Sequence, residues 1–523
     1  MYSFNYYKKS FFSNDWKSGI AVFLVALPLC LGIALASGAP LFSGIVAGIV
    51  GGIVVGFFSS SHISVSGPAA GLTIIVAAAI KDLGSFEGFL VAVILAGIIQ
   101  VIFGYFKGGR LSAFFPNAVI KGMLVAIGIV IILKQIPHAL GDDRDYVGEF
   151  EFEQVDHLNT FTELIHSIID FNYGAVFITL TCLFVMIFWN KLSEKFKSFQ
   201  NVPSSLLAVG IGILFNELYR LYKPDFYLGN SSIHMVSVPI FNSFEELKNG
   251  IIRPDFSLLN HSKVYMTAAI LAVVASLESL LSLEAADSLD TQGRISSGDK
   301  ELVAQGFGNI LSGILGGIPL TSVVVRTSAN VYAQAKTRSS TIFHGVLLLV
   351  SVLFIPRILN IIPLASLAAV LLMVGYKLAS PKVFKAVFYE GYSQFIPFIV
   401  TILVVVFKDL LWGIGVGTLV GILFVLRTNF KNAISIVKEG NTTSLSFNKD
   451  IYFMNKSQVK AALSSLHPGD KVSIDGNNAH FIDHDIFEIL LDFKKKAAKQ
   501  KISVDFKNIK KDRKININDI SEN

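Results

Sequence analysis

The residues whose types and spacing could do chemistry lie in apolar surroundings. Glu278 sits in Ala275-Ser-Leu-Glu-Ser-Leu-Leu-Ser282, and no other charged residue occurs between Val264 and Leu283. An acid at the centre of a membrane helix costs about 2.5 kcal/mol or more, so it reads as functional unless a structural partner holds it. Ser282 follows one turn later on the same helix face. A carboxylate and a hydroxyl placed that way can ligate Na⁺, and the carboxylate alone can carry a proton. The competing reading is a structural ion pair with Arg326.

A second chemistry belongs to backbone. The stretch Gly313-Ile-Leu-Gly-Gly-Ile-Pro-Leu-Thr-Ser-Val-Val-Val-Arg-Thr-Ser-Ala-Asn330 is apolar enough for a membrane, yet it carries paired glycines, a proline, hydroxyls and one arginine. Ser64-Val-Ser-Gly-Pro-Ala-Ala-Gly71 has the same character. Broken helices at membrane depth are tolerated where they are buried in protein or line a cavity, and their half-helix N-termini attract anions. Unpaired N–H groups and a dipole end of about half an elementary charge then favour a small anion. The candidate anion residues are Gly67, Pro68, Ala69 and Ala70 on one side and Ser322, Val323, Val324 and Val325 on the other. Arg326 either adds positive field or neutralises Glu278. Glu284 and Asp287 read as solvated or gate-facing. His62 and His344 are isolated, and neither has the partner spacing of a metal site.

The elements that must position these groups follow from composition. The chain has 523 residues, 52% hydrophobic and only 16% charged, with mean hydropathy +0.60. Residues 18–80 contain no Asp, Glu, Lys or Arg. One helical crossing needs about 20 residues, so that run holds about three. The chain is expected to be a polytopic α-helical membrane protein with about fourteen spans. The windows are 17–36, 41–58, 66–81, 88–106, 116–138, 172–190, 203–221, 264–284, 301–316, 320–335, 340–356, 361–377, 394–409 and 411–427. Residues 1–17 are aromatic and polar and do not read as a cleaved signal. Cys30 and Cys182 lie in apolar segments and read as packing residues rather than a disulfide.

Basic residues fall on one side of this arrangement: Lys8, Lys9 and Lys17, then Lys107 with Arg110, Lys191 with Lys195 and Lys197, Arg294 with Lys300, Lys336 with Arg338, and Lys377 with Lys382 and Lys385. The loop 141–156 is acidic instead. Both termini are therefore expected in the cytoplasm. That distribution also accounts for the net charge of +6 without nucleic acid, for which no basic-aromatic module is present.

Glycine-rich 44–56 leads into 64–71 much as 306–317 leads into 318–322. Two repeats of seven spans with opposite orientation would pair span 3 with span 10. After Arg427 the composition becomes soluble. Residues 443–447, 471–475 and 501–506 alternate as strands, and 484–500 reads as an amphipathic helix, together a short βαβ domain. Within it, residues 475–484 join a strand to a helix without a nucleotide fingerprint, which favours an interaction or regulatory role.

At these residues the chain resembles the sulfate permease (SulP) family of anion transporters. The resemblance rests on Pro28-Leu-Cys-Leu-Gly-Ile-Ala34, Ser66-Gly-Pro-Ala-Ala-Gly71, Leu277-Glu-Ser-Leu-Leu-Ser282 and residues 319–337, with a tail similar to the STAS fold. It covers nearly the whole chain, and the 319–337 match is the specific one. It implies seven-plus-seven inverted repeats in a domain 17–429, a core of spans 1–4 and 8–11, a gate of spans 5–7 and 12–14, elevator-type movement and a homodimer. Residues 1–16 would be a cytoplasmic N-terminal segment and 430–523 a cytoplasmic STAS-like domain. It places the anion between spans 3 and 10, with Leu29 and Cys30 alongside. Leu29 stands where many members have glutamine, and Asn477 and Asn478 where related signalling domains have a phosphorylatable serine.

The expectation is a secondary transporter of sulfate or bicarbonate, coupled to Na⁺ or H⁺ at Glu278 and Ser282. The apolar Val323, Val324 and Val325 suit a small inorganic anion. An uncoupled exchanger or channel on the same scaffold is the alternative. The spans hold no nucleophile–base pair, so an enzyme is not expected, and neither is a cofactor beyond a bound Na⁺. The expected place is in lipid, in a bacterial inner membrane.

Overall fold

A computed structural model of the chain describes residues 4–110, 115–144, 152, 159–196, 202–230, 232–241, 245–246, 250–431, 433–511 and 515–517. Of the acidic loop read above, Asp145, Glu149, Glu151, Glu153 and Asp156 lie outside the described residues, as does Lys197. The chain forms two compact units, Met1–Thr418 and Leu419–Asn523.

In the first unit, α1 (Asn5–Ala36) is one helix of 32 residues, so the N-terminal segment continues into the first span. It is followed by α2 (Leu41–Phe58), the strand β1 (Ser66–Pro68) and α3 (Thr73–Leu83). Next come α4 (Phe86–Tyr105), α5 (Asn117–Leu140), α6 (Thr160–Ile169), α7 (Tyr173–Lys195) and α8 (Ser204–Tyr222). The second half runs α9 (Ser262–Leu289), α10 (Gly298–Ile314), the strand β2 (Leu320–Ser322) and α11 (Val324–Tyr332). It ends with α12 (Ser339–Phe354), α13 (Leu364–Leu378), α14 (Pro381–Tyr389) and α15 (Tyr392–Phe407), and α16 (Leu410–Lys431) begins in this unit and continues into the second. Among the described residues 8 helices are long and apolar enough to cross a membrane, and three shorter apolar helices accompany them.

Twelve of the windows read from the sequence fall on one of these helices, whereas 66–81 and 320–335, read as single spans, each cover a strand and a half-helix. The short helices α6 and α14 fall between windows. The order glycine-rich helix, three-residue strand, half-helix occurs in both halves, as α2–β1–α3 and as α10–β2–α11. The two strands pair antiparallel, with Ser66 opposite Ser322, Gly67 opposite Thr321 and Pro68 opposite Leu320. Each strand interrupts a membrane segment, and pairing gives their backbone groups partners where water is scarce.

Helices pack closely where side chains vanish. A Cβ on Gly306 would strike the carbonyl oxygen of Gly97, and one on Gly97 would strike that of Gly306. Small residues that let two backbones approach are what hold membrane helices together.

The second unit has a four-stranded sheet in the order β3 (Ile434–Glu439), β4 (Thr442–Phe447), β5 (Lys471–Asp475), β6 (Ser503–Lys507). β3 pairs antiparallel with β4, while β4–β5 and β5–β6 are parallel. The parallel steps need crossovers, which are α17 (Lys456–Ser464) and α18 (His484–Lys499). The sequence reading found β4, β5, α18 and β6 and did not find β3 or α17. Leu445, Ile474, Ile486, Phe487 and Leu490 form the buried face against the sheet.

A valine at position 306 forces α4 and α10 apart at a backbone contact. Overpacking of this kind costs about 1–3 kcal/mol. Gly306→Val should therefore lower the thermal midpoint of the detergent-purified protein, read by size-exclusion after heating; an unchanged midpoint would show that the contact is not needed.

Candidate functional site

β2 is fixed before any ligand is considered. Asn309 on α10 takes both backbone groups of Leu320: its Oδ1 accepts from Leu320 N at 2.7 Å and its Nδ2 donates to Leu320 O at 3.0 Å. Its Nδ2 also donates to Gln100 Oε1 at 2.7 Å. Ser312 Oγ donates to Ile318 O at 2.8 Å just upstream. Ser64 and Ser322 join through their hydroxyls at 2.5 Å.

The backbone candidates of both halves adjoin this frame. Ser322 N donates to Ser279 Oγ at 3.4 Å, and Val323 N donates to Val65 O at 2.9 Å. Those two amides are engaged inside the protein. The first-turn amides of α11, on Val324, Val325 and Arg326, have no place in the helix ladder. Val323 precedes α11 in extended conformation and supplies no side-chain cap. On the other side Ala69 is extended, and a 3₁₀ turn, Ala70–Leu72, leads into α3. Ala70 and Val323 are half-buried and Gly71 is exposed, whereas Gly67, Pro68 and Ala69 are buried. The site is thus a shallow opening over a buried ribbon.

Arg326 is fully buried, at 0% exposure. None of its three guanidinium nitrogens has a hydrogen-bond partner among the described residues. The guanidinium approaches Gly67 with its Nη1, on which any Cβ there would fall. A side chain at Gly48 would touch both the Cys30 sulfur and Nη1, so the Cys30 thiol is a neighbour of the charge. A thiol is a weak acceptor and supplies no counter-charge. Leu29 is equally buried on α1, at 1% exposure. His344 on α12 is buried with neither ring nitrogen hydrogen-bonded among the described residues.

Glu278 lies beside the turn that follows β1. A Cβ on Gly71 would sit 3.3 Å from its Oε1 and 3.4 Å from its Oε2. The side chain is buried, at 7% exposure, and Oε2 has no hydrogen-bond partner among the described residues. Ser282 is buried one turn on, and the hydroxyl of Ser276 is unpartnered. Among the described residues no ion pair joins Glu278 to Arg326. The two charges border β1 and the turn after it at different residues, Gly67 and Gly71. Of the other acids on α9, Asp287 accepts from Ser296 N and from Ser296 Oγ, each at 2.6 Å.

Among the buried acids that the sequence reading passed over, Glu301 lies nearest β1. Glu301 has 0% exposure, and its Oε2 accepts from Ser59 Oγ at 2.5 Å and from Ser60 N at 3.3 Å. Its Oε1 accepts from Gln305 Nε2 at 2.9 Å, and Gln305 also reaches Ser66 Oγ at 2.7 Å. A Glu-x-x-x-Gln step on a glycine-bearing helix, with a serine run in 59–61 ahead of β1, is the signal that could have found it. Unlike Glu278 it is fully engaged, which marks it as scaffold.

Comparison with known proteins gives this arrangement a family. The model of the Sulfate permease family matches residues 12–402. A bicarbonate transporter, BicA of Picosynechococcus, is 28% identical over 78% of this chain and 69% of its own length. A sodium-independent sulfate anion transporter of Bos taurus is 27% identical over 92% of this chain and 82% of its own. The solved overall structure of SLC26A9 aligns with a TM-score of 0.69 at 15% identity, covering 99% of this chain and 87% of that one, and so shares the fold. The chain is an integral membrane protein, not an enzyme, and it belongs to the sulfate permease family.

Proposed function

We propose that the chain is a secondary transporter of a small inorganic anion, sulfate or bicarbonate, that binds at the β1–β2 ribbon between α3 and α11. The observation that carries this reading is Arg326: a fully buried guanidinium without a counter-charge, at the first turn of a half-helix. An unpaired buried charge costs several kcal/mol, and an anion placed beside it relieves that cost. The amides of Ala70, Val324 and Val325 and the field of Arg326 hold the anion. Gly67, Pro68 and Ala69 shape the floor with Ser322 and Val323. Leu29 and Cys30 close the α1 side.

Glu278 supplies the coupling. An anion entering beside a free carboxylate is repelled, and Na⁺ held by Glu278 and Ser282, or a proton on Glu278, removes that repulsion. Coupling of this kind is reciprocal, so the anion tightens the cation in turn. Spans 1–4 and 8–11 then move as a core against a gate of spans 5–7 and 12–14, in an elevator-type cycle within a homodimer. Both termini lie in the cytoplasm of a bacterial inner membrane, and the STAS-like tail has a regulatory or assembly role. The sodium-independent relative favours a second reading, an uncoupled exchanger on the same scaffold.

Uptake of labelled sulfate and of labelled bicarbonate into proteoliposomes, each with and without Na⁺ and a pH gradient, separates the two. Coupling of typical strength predicts that Glu278→Gln lowers gradient-driven accumulation about tenfold or more. Accumulation unchanged under both gradients would leave the exchanger.

Arg326→Met keeps the side-chain volume and deletes the charge. The proposal expects loss of anion-dependent stabilisation together with an unchanged or higher thermal midpoint of the ligand-free protein, because an unpaired charge is removed. A large fall in the ligand-free midpoint would instead make Arg326 a structural residue.

A further inference from the structure

The first dozen residues of α1 do more than lead into the membrane. The helix has 32 residues, whereas about 20 cross the hydrocarbon, so at least one end continues beyond it. The charged end is the N-terminal one: Lys8, Lys9, Asp15 and Lys17 all precede residue 18, and residues 18–36 carry no Asp, Glu, Lys or Arg. Phe12 is 69% exposed there, and the Lys17 ammonium lies 5.9 Å from the centroid of the Trp16 ring. Exposed aromatics with lysines are what the headgroup layer selects.

This end is folded against two loops of the same unit. Tyr6 Oη donates to Gln292 Oε1 at 3.4 Å, and Gln292 Nε2 donates back to Tyr6 Oη at 3.2 Å. Asp15 is fully buried and accepts from Lys336 N at 2.7 Å, Thr337 N at 3.1 Å and Thr337 Oγ1 at 2.6 Å. Between these two attachments an open groove of about 250 Å³ remains, lined by Tyr6, Lys9, Ser10, Ser13, Gln292 and Lys336, of which Lys9, Ser13, Gln292 and Lys336 are exposed. Its polar groups are two ammoniums, three hydroxyls and an amide, with no carboxylate among them.

The neighbouring acids do not offset the two lysines. Asp15 is engaged as described. Asp290 makes an ion pair with Arg294 at 2.6 Å. Burial raises the Asp290 carboxyl, but hydrogen bonds and the charge of Arg294 outweigh it and hold the group below the usual carboxylate range. Arg294 is further tied to Lys336 O at 2.8 Å. Among the described residues neither Lys9 nor Lys336 has an ion-pair partner.

We propose that this groove binds a phosphate group between the ammoniums of Lys9 and Lys336, with the Ser10 hydroxyl beside them; the Tyr6 and Ser13 hydroxyls, which donate to Gln292 Oε1 and Ser10 O, line it without supplying a proton. The source is an anionic lipid headgroup or a free phosphate, and both meet the same donors. The site joins α1 to the loop that follows α9 and to the loop that follows α11. Those helices carry Glu278 and Arg326, so occupancy stiffens the connection between the two charged helices. It is separate from the β1–β2 ribbon, and its test reads binding rather than transport.

The full chain, purified in detergent, is heated with a short-chain phosphatidylglycerol, a short-chain phosphatidylcholine or inorganic phosphate at equal concentration. Phosphatidylglycerol is expected to raise the thermal midpoint by several degrees over phosphatidylcholine. The shift is expected to disappear in Lys9→Gln/Lys336→Gln and to persist in Lys8→Gln, whose side chain is exposed and does not line the groove. An equal shift with inorganic phosphate, lost in the same double variant, assigns the site to free phosphate. No shift with either phosphate compound, or equal loss in Lys8→Gln, overturns the proposal.

Discussion

The membrane unit depends on a pairing of only three residues from each half of the chain. β1 and β2 both interrupt helices in a region without water, where each unpaired backbone group costs several kcal/mol. Opposite one another they supply each other's partners, and Asn309 takes both groups of Leu320, which closes one end of the ribbon. Antiparallel pairing then makes the chain leave β1 toward α3 and β2 toward α11 at opposite ends of the ribbon, ends that are about 7 Å apart along the strands at two steps. The pairing that satisfies the broken backbone therefore also sets the gap between two half-helix N-termini.

Glycine decides where charge meets that ribbon. Gly67 and Gly71 lack the Cβ that would otherwise collide with the Arg326 guanidinium and lie against the Glu278 carboxylate. The two charges are thus brought to neighbouring points of one backbone without being brought together. Had they formed an ion pair, each would have neutralised the other and left nothing for a ligand. Held apart, they leave a positive and a negative position that separate ions can complete.

The sequence carried part of this plainly. A glycine-proline break inside an apolar run is visible because both residues oppose a regular helix, so the two interruptions were legible as breaks in spans 3 and 10, but not as the strands β1 and β2. Glu278 stands out because nothing else charged surrounds it. The pairing itself left no trace, since three residues are too few for a strand period. Glu301 was hidden by position: at the head of an apolar window it reads as a flanking charge, and only the fold brings Ser59 and Gln305 around it. The engagement of the Ser322 and Val323 amides depends on Ser279 and Val65, which no local pattern connects to them. In the tail, the alternation of β4 and β5 was legible because one face of each packs on α18, whereas β3 has Ile436 and Val437 exposed and no clean alternation.

The two charges also differ in how firmly they are held. α11 is anchored along its length: β2 precedes it, Thr327 Oγ1 accepts from Val65 N at 3.0 Å, and Asn330 Nδ2 donates to Ile63 O at 2.8 Å. Just past its end, Asp15 grips Lys336 and Thr337. With both ends fixed and Gly67 against the guanidinium, Arg326 is held in one place. Its field is therefore constant. Glu278 has a free oxygen beside the exposed Gly71, and a carboxylate can take or release a cation. In the proposed cycle the attraction for an anion is thus permanent, and the variable that times binding and release is the state of Glu278.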